Sequence, residues 1–333
     1  MKTSRFFYRL CVFLLVLSLL IGGAFAEETA IHNDGTARLP SGYPEKNIEL
    51  LISYAPGGGS DILCRALLKY LNLPVDVVIV SMEGAGGLTG AMDALQRKPD
   101  GYTIVNHNPA ALIDFYVNSL TDKKLWEELD PIATVAMDYT VLYTTARTGV
   151  TSFEEAMQYF KDHPKTLVCT AGLTGNGPLF AEKLSRDFDP GWVLTPYDGS
   201  AAANAAMLGG HAEFEFASTA DGKALVDGGE FIPLVVVGEE RAAHLPDVPC
   251  TKELGIDFTA GHPRGFYCVP GTDPEIRDYW TTIIGEISAM PEFQQDMMDL
   301  GLVPYYRNSE EMKAQTEIWY EQISEIHEMI ANQ

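Results

Sequence analysis

Short apolar runs alternate with amphipathic stretches along most of this 333-residue chain. Residues 48–54 form an apolar run that is typical of a buried parallel strand. Ser60 or Asp61 then caps a predicted helix that extends to Tyr70 with its apolar residues on one stripe. Further strands are predicted at 75–80, 102–106, 166–170, 192–196, 213–217, 232–237 and 266–269, and further helices after 84–87, at 152–163, from 178, and at 201–208, 274–290, 291–300 and 309–332.

This alternation predicts an α/β fold with parallel sheets, and its two blocks predict two doubly wound lobes. In that architecture, ligands bind where the carboxyl ends of strands meet the N-termini of helices. Two glycine-rich turns, at 56–61 and 172–178, occupy that position in the two blocks. The pattern therefore predicts a ligand cleft between the lobes.

The N-terminus carries the features of a secretory signal peptide. Three basic residues precede a short apolar run at 10–21, and Ala24-Phe25-Ala26 then forms a small-x-small cleavage pattern. We expect a signal peptide at 1–26, a flexible polar leader at 27–43, and a water-soluble protein in the periplasm. The alternative is an uncleaved N-terminal anchor, for which the apolar run is too short.

The charge balance is strongly acidic. The signal carries three of the 23 basic residues and none of the 46 acidic ones, so its removal changes the formal charge from −23 to −26. Such a surface repels nucleic acids and anionic membranes, and neither is an expected partner. An anionic ligand must then be attracted by local groups.

Cofactor and metal motifs are missing from the sequence. It lacks Cys-x-x-Cys and His-Glu-x-x-His, its seven histidines are scattered, and its glycine turns lack the P-loop lysine and the G-x-G-x-x-G spacing. We therefore expect no metal and no cofactor. Cys64 and Cys169 are expected to be buried thiols, whereas Cys250 and Cys268 flank a short segment and are either bridged or free.

The first turn can bind an anion without a basic side chain. Gly57, Gly58 and Gly59 leave backbone N–H groups accessible, and the following helix dipole adds positive charge. One helix terminus contributes roughly 0.5–2 kcal/mol, whereas micromolar capture needs about −8 kcal/mol. Two opposed turns are therefore needed, which favours a carboxylate, above all one with two carboxyl groups. Asp61 is expected to cap the helix or to pair with Arg65.

An exported esterase-like hydrolase is the alternative function. Ser60 and His107, with Asp61 or Asp198, supply the residue types of a triad, but the sequence has no G-x-S-x-G elbow. Chance produces such a scattered set often, so we prefer binding to catalysis.

Five further positions bear on the site or the core. Asn106 follows a predicted strand and is a candidate for the lining of the cleft. Tyr197 and Ser200 precede or begin a helix and are candidate hydroxyl donors, or an ordinary helix cap. Trp280 and Trp319 fall on helical stripes and are expected in the core.

The order of the turns resembles that of the tripartite tricarboxylate transporter receptors, also called Bug receptors. The similarity runs from about residue 43 to the C-terminus, and each block is short, but nine follow in the family's order, the first of them divided between 43–48 and 56–65. The blocks are 43–48, 56–65, 84–87, 99–103, 172–177, 196–200, 208–210, 240–241, 245–249 and 270–272.

This resemblance implies a type II periplasmic-binding-protein fold, in which two crossover strands join the lobes and the C-terminal helix returns to the first. Lobe 1 would comprise 44–143 and 269–333, and lobe 2 would comprise 144–268. The resemblance also implies a monomeric receptor without enzymatic activity. It would deliver a small carboxylate to one large and one small membrane subunit of an ion-driven secondary transporter.

In the family that this chain resembles, two loops hold the ligand carboxylate, largely through backbone groups and ordered water. Together with the candidates above, and with Arg264 as an additional carboxylate contact, this gives the predicted site. It consists of Tyr54, Pro56, Gly57, Gly58, Gly59, Ser60, Asp61, Asn106, Ala171, Gly172, Thr174, Gly175, Asn176, Tyr197, Ser200 and Arg264.

Three positions depart from the family pattern. Asp198 stands where a lysine is usual, and Phe180 stands where a histidine is common. Arg264 lies in a segment that usually reads Trp-Phe-Gly, and a plain surface arginine is the alternative to a carboxylate contact. Asp198 leaves room for a ligand that also carries an amine.

Overall fold

The computed structural model describes most of the chain after the predicted signal peptide. The described residues are 31–39, 41–54, 56, 59–172, 176–197, 200–258 and 261–331. The predicted signal at 1–26 lies outside them, as do residues 27–30 of the predicted leader. Among the described residues, no helix is long and apolar enough to cross a membrane.

The described residues form ten strands, eleven α-helices and, in addition, one 3₁₀ turn at Ala85–Gly87. The strands are β1 (Ile48–Ile52), β2 (Val77–Ser81), β3 (Thr103–His107), β4 (Asp130–Thr144), β5 (Leu167–Thr170), β6 (Val193–Pro196), β7 (Phe214–Ser218), β8 (Ile232–Val237), β9 (Gly261–Cys268) and β10 (Val303–Asn308). The helices are α1 (Gly59–Tyr70), α2 (Leu88–Ala94), α3 (Pro109–Val117), α4 (Leu125–Glu128), α5 (Phe153–Asp162), α6 (Asn176–Phe188), α7 (Ser200–Gly209), α8 (Thr219–Asp227), α9 (Pro274–Ser288), α10 (Pro291–Asp299) and α11 (Ser309–Ala331).

The predicted elements are present, but five others were missed: α3, α4, β4, α8 and β10. Helix α3 is apolar around most of its circumference and therefore shows no amphipathic stripe. Strand β4 is 15 residues long and almost wholly buried, and such a run has neither a period of two nor the usual strand length. Helix α6 begins at Asn176, two residues before the predicted Pro178.

Strand β4 connects two sets of parallel strands. Its first part, Asp130–Tyr139, pairs with β9 and β10, and β9 continues to the parallel strands β3, β1 and β2. Its last residues, Thr140–Thr144, pair with β7 and β8, and β7 continues to the parallel strands β5 and β6. The predicted α/β fold is thus confirmed, with β4 and β9 crossing between the two parallel sets.

Each parallel set packs a hydrophobic core, and a third hydrophobic cluster contains residues of both sets, among them Leu51 of β1 and Val236 of β8. One core joins β1 and β9 to α9, and it includes Leu50, Phe266 and Trp280. The core of the second set packs Phe180 and Phe214 against β8 and against Leu142 of β4. Trp280 and Trp319 are both buried, as predicted from their helical stripes.

The possible disulfide between Cys250 and Cys268 is not formed. All four described cysteines are free and buried. Cys268 lies on β9 opposite Ile104, whereas Cys250 bridges to Val236 of β8 in a different hydrophobic cluster. Closeness in sequence was misleading because β9 carries the chain from one parallel set to the other.

Candidate binding cleft

A cavity of about 230 Å³ lies where the crossover strands meet the N-termini of three helices. Helix α6 begins at Asn176, α7 at Ser200 and α8 directly after its N-cap Ser218, and all three residues line the cavity. Each helix follows a strand of the second parallel set, so their amide-bearing ends converge at one edge of the sheet. This edge is suited to anion binding.

A second cavity, of about 260 Å³, lies on the opposite face of β4. Met137 and Tyr139 line it, whereas Asp138 and Thr140 line the first, because alternate residues of a strand face opposite ways. None of the described residues that line this second cavity begins a helix. We therefore regard the first cavity as the candidate site.

Arg264 enters the candidate cavity from β9 and pairs with a buried carboxylate. Its Nη2 lies 2.8 Å from Asp138 Oδ2, and the two side chains are 15% and 2% exposed. Asp138 Oδ1 also accepts hydrogen bonds from Thr219 Oγ1 (2.9 Å) and from the Ala220 N–H (3.2 Å). Arg264 is therefore no plain surface residue. Its contact with a ligand carboxylate stays a prediction.

The first turn approaches the same guanidinium. Arg264 Nη1 donates to Ser60 Oγ at 3.4 Å, and a Cβ on Gly59 would lie 3.3 Å from Arg264 Nη2. Asp61 accepts from Arg65 Nε at 2.9 Å, which is the predicted (i, i+4) pair. Gly57 and Gly58 lie outside the described residues, and Pro56 is exposed beside them.

None of the predicted first-lobe residues that the structure describes lines the cavity. They are Tyr54 and Asn106, together with Pro56, Gly59, Ser60 and Asp61 of the first turn. Tyr54 packs against His107, with its hydroxyl oxygen 3.4 Å from His107 Nδ1. Asn106 is buried, and its side-chain Nδ2 donates to the Gly265 carbonyl at 3.0 Å. This hydrogen bond joins β3 to β9 at Gly265, the residue that follows Arg264.

The second turn contributes Ala171 and Asn176 to the cavity lining. Gly172 has a φ of 121°, which glycine adopts readily, and its carbonyl accepts from Thr170 Oγ1 at 2.7 Å. Tyr197 does not line the cavity, since it packs against a hydrophobic cluster. Thr174, Gly175 and Asp198 lie outside the described residues.

Two buried polar groups that line the cavity have no hydrogen-bond partner among the described residues. They are Asn176 Nδ2 and Thr140 Oγ1, and each residue is 2% exposed. Buried polar groups are normally paired, because leaving one unpaired costs about 1–3 kcal/mol. Both groups are therefore available to hydrogen-bond a ligand.

Ser60 and His107 do not form a nucleophile–base pair in the described structure. His107 Nε2 lies 3.2 Å from the Gly87 carbonyl oxygen and Nδ1 lies 3.1 Å from that of Asn108, while the hydrogen-bond partner of Ser60 Oγ is Arg264. Burial lowers the pKa of His107 to about 4, so its ring is a weak base. This geometry gives the hydrolase alternative no assembled catalytic dyad.

Glu215 on β7 is fully buried next to the cavity, and the sequence analysis missed it. Burial, together with the nearby charge of Asp221, raises its pKa from 4.5 to about 8. The folded protein therefore holds Glu215 neutral at pH 7. Because the unfolded chain releases this proton at a lower pH, Glu215 makes stability fall as the pH rises.

We expect Glu215→Gln to flatten the decline of the unfolding free energy between pH 4.5 and 8. The Glu215 contribution is fully present below pH 4.5 and is lost as the pH rises through about 8, at a slope of up to about 1.4 kcal/mol per pH unit. Urea titrations at pH 5, 6, 7 and 8 measure the difference from wild type. The exposed Glu230→Gln is the control, and parallel curves for wild type and Glu215→Gln would contradict the assignment.

Comparison with known proteins agrees with this architecture. Residues 65–331 match the model of the tripartite tricarboxylate transporter family receptor. A UPF0065 protein from the gbd 5′ region of Cupriavidus necator is 30% identical over 279 residues, which is 81% of this chain and 83% of the relative.

Solved structures confirm the type II periplasmic-binding-protein fold. A TctC solute-binding protein from Polaromonas has a TM-score of 0.75 at 26% identity, over 85% of this chain and 98% of that one. MatC from Rhodopseudomonas palustris with bound malate has a TM-score of 0.70 at 19% identity, over 86% and 100%. Another protein of that organism, with adipate, has a TM-score of 0.73 at 19% identity, over 86% of this chain and 97% of that one.

Proposed function

The chain belongs to the tripartite tricarboxylate transporter receptor family, a family of solute-binding receptors, and on that premise we propose that it captures a small carboxylate in the cleft described above. The observation that carries this proposal is the convergence of Arg264, the Asn176 side chain and the N-terminus of α6 on one cavity. These groups supply positive potential within a chain whose total formal charge is strongly negative.

Arg264 has room for a ligand in addition to Asp138. Its Nη2 is engaged by Asp138, but its buried Nε has no partner among the described residues. A guanidinium carries five N–H donors, so one carboxylate of the protein and one of the ligand can share it. Asn176 Nδ2 adds a neutral donor to the same cavity.

The solved relatives make dicarboxylates the first probes. MatC contains malate and the other Rhodopseudomonas palustris protein contains adipate. A helix terminus contributes roughly 0.5–2 kcal/mol, and a hydrogen bond to a charged group roughly 1.5–3 kcal/mol. At the upper end of these ranges, Arg264, Asn176 and the α6 helix end together reach about 8 kcal/mol, which is the free energy that micromolar capture needs.

The transport role follows from family membership and from the N-terminal sequence. The receptor would bind its ligand in the periplasm as a monomer after export, and it would present the ligand to a large and a small membrane subunit of a secondary transporter. Binding without turnover separates this role from the hydrolase alternative, so product analysis after incubation with a bound carboxylate, or with its ester, should recover the added compound unchanged.

Isothermal titration calorimetry of the chain without residues 1–26 tests the binding proposal. Malate, succinate, glutarate, adipate and citrate are the probes, and we expect at least one to bind with a micromolar Kd. A ligand at 100 times its Kd should also stabilise the protein by about 2.7 kcal/mol. If no carboxylate bound at millimolar concentration, the proposal would be wrong.

Asn176→Leu is expected to weaken carboxylate binding at least tenfold without lowering stability. The amide nitrogen is buried and unpartnered, so a similarly sized apolar side chain removes a donor for the ligand and no hydrogen bond of the described fold. Calorimetry measures the affinity and urea titration the stability. Asn118→Leu is the matched control, because Asn118 lies at the end of α3, away from the cavity lining. Unchanged affinity in Asn176→Leu would remove Asn176 from the site.

A further inference from the structure

The candidate cavity holds more negative than positive charge. Asp138 and Asp221 line it, and Arg264 is the cation among its described lining residues. Burial lowers the pKa of His262, the other basic residue of the lining, and its Nδ1 accepts from Asn108 Nδ2 at 3.2 Å. His262 is therefore neutral at pH 7. Because Arg264 forms an ion pair with Asp138, Asp221 is the charged side chain of the described lining that has no counter-charge within it.

Asp221 lies at the positive end of a helix. Its Oδ2 accepts a hydrogen bond from Ser200 Oγ at 2.7 Å, and Ser200 is the first residue of α7. No ion pair of Asp221 occurs among those of the described residues. The carboxylate offsets the α7 dipole, which makes this helix end less attractive to an anionic ligand. It leaves the α6 end, at Asn176, for a ligand carboxylate.

The cavity therefore has two unlike ends. Arg264 and the α6 terminus accept an anion, whereas Asp221 accepts a cation or a hydrogen-bond donor. The buried and unpartnered Thr140 Oγ1 and Asn176 Nδ2 line the same space, which independently indicates that the cavity is completed by a polar ligand.

We propose that the ligand of this receptor is a carboxylate that also carries a protonated amine, with the amine held by Asp221. The proposal rests on the proposed function, since it names the ligand class of the same site. An ammonium group brings the three donors that a carboxylate and a hydroxyl can accept, and it compensates the unpaired charge. A dicarboxylate without an amine leaves Asp221 uncompensated and adds repulsion.

Asp221 also has an ordinary structural position, and the test must separate the two roles. It lies in the first turn of α8, where an acidic residue stabilises a helix, and its backbone N–H donates to the N-cap Ser218 Oγ at 3.1 Å. A purely structural role predicts a change in stability with no change in ligand preference. An amine-binding role predicts a change in the ratio of two affinities.

Calorimetry with matched ligand pairs measures that ratio. The pairs are succinate and aspartate, glutarate and glutamate, and adipate and 2-aminoadipate, which differ only by the amine. For wild type we expect the amine-bearing member of at least one pair to bind ten or more times more tightly than its partner. In Asp221→Asn, which keeps the acceptor for Ser200, this ratio should fall to about one. The control Asp227→Asn, on the same helix and outside the cavity lining, should retain it.

The outcomes distinguish this inference from the function on which it rests. Amine-free dicarboxylates that bind as tightly as their partners, or more tightly, would overturn the inference and leave carboxylate capture standing. A preference that persists in Asp221→Asn would overturn the role of Asp221. If none of the six compounds bound at millimolar concentration, both the inference and the proposed function would be wrong.

Discussion

Arg264→Met is expected to lower the free energy of unfolding by about 3–5 kcal/mol. The substitution leaves the Asp138 carboxylate, whose side chain is 2% exposed, without the guanidinium that neutralises it. The hydrogen bonds from Thr219 and Ala220 remain but carry no full positive charge. Removing one partner of a buried ion pair costs far more than removing the pair, because the remaining charge stays desolvated.

Urea unfolding at pH 7 measures this loss. The double variant Arg264→Met/Asp138→Leu should recover a large part of it, since no buried charge remains. Arg241→Met is the matched control, because the pair between Arg241 and Glu253 (2.9 Å) is exposed and should contribute no more than about 1 kcal/mol. A loss below about 1 kcal/mol in Arg264→Met would contradict the assignment of a buried ion pair between Arg264 and Asp138.

Trp280→Ala is expected to cost about 3–5 kcal/mol of stability. The indole is 2% exposed within the core that joins α9 to β1 and β9, and deleting it leaves a large cavity. It also removes a hydrogen bond, since Trp280 Nε1 donates to Tyr43 Oη at 2.8 Å. Tyr43 in turn donates to the Gly101 carbonyl at 2.6 Å, so the indole supports a short buried network.

Two further variants separate the contributions of the Trp280 side chain. Trp280→Phe keeps much of the volume and loses the donor, and it should cost about 1–2 kcal/mol. Ile318→Ala, at a residue that is 48% exposed, should change stability by less than about 0.5 kcal/mol. Thermal and urea unfolding give these values. Because Trp280 does not line the cleft, ligand affinity of Trp280→Phe should match wild type, and a large loss of affinity would contradict this separation.

Packing of Trp280 on Tyr43 also bears on the organisation of the chain. Helix α9, in the C-terminal part of the chain, shares a core with the first strands, although Trp280 and Tyr43 are 237 residues apart. The resemblance predicted such a return of the C-terminal segment to the first lobe. The boundaries at 143/144 and 268/269 stay predictions.

Part of the candidate site could be predicted because its features are local. A strand, a glycine-rich turn and a helix follow one another within 20 residues, so the positions of the helix ends at Gly59, Asn176 and Ser200 were indicated by the pattern to within two residues. The Asp61–Arg65 pair likewise depends only on helical spacing. The α/β fold follows from repetition of this local unit.

The residues that decide the charge of the cleft could not be predicted in this way. Asp138 on β4 is 126 positions from Arg264 on β9. Ser200 is 21 positions from Asp221, and these two residues belong to different helices that only the order of the strands brings together. A lone acidic residue within the apolar run of β4 was the available signal for Asp138. The pattern did not indicate β4 itself, because a strand buried on both faces has no alternation.

The sequence by itself therefore determined the α/β class, the two glycine-rich turns and the positions of the helix ends that follow them, since each depends on the conformational preferences of neighbouring residues. Only the tertiary structure decided which of these ends share a cavity, that Arg264 pairs with Asp138, and that Cys250 and Cys268 lie in separate cores. These outcomes depend on how β4 and β9 cross between two sets of strands. That crossing arises from the burial of residues far apart in the chain, which no short sequence pattern records.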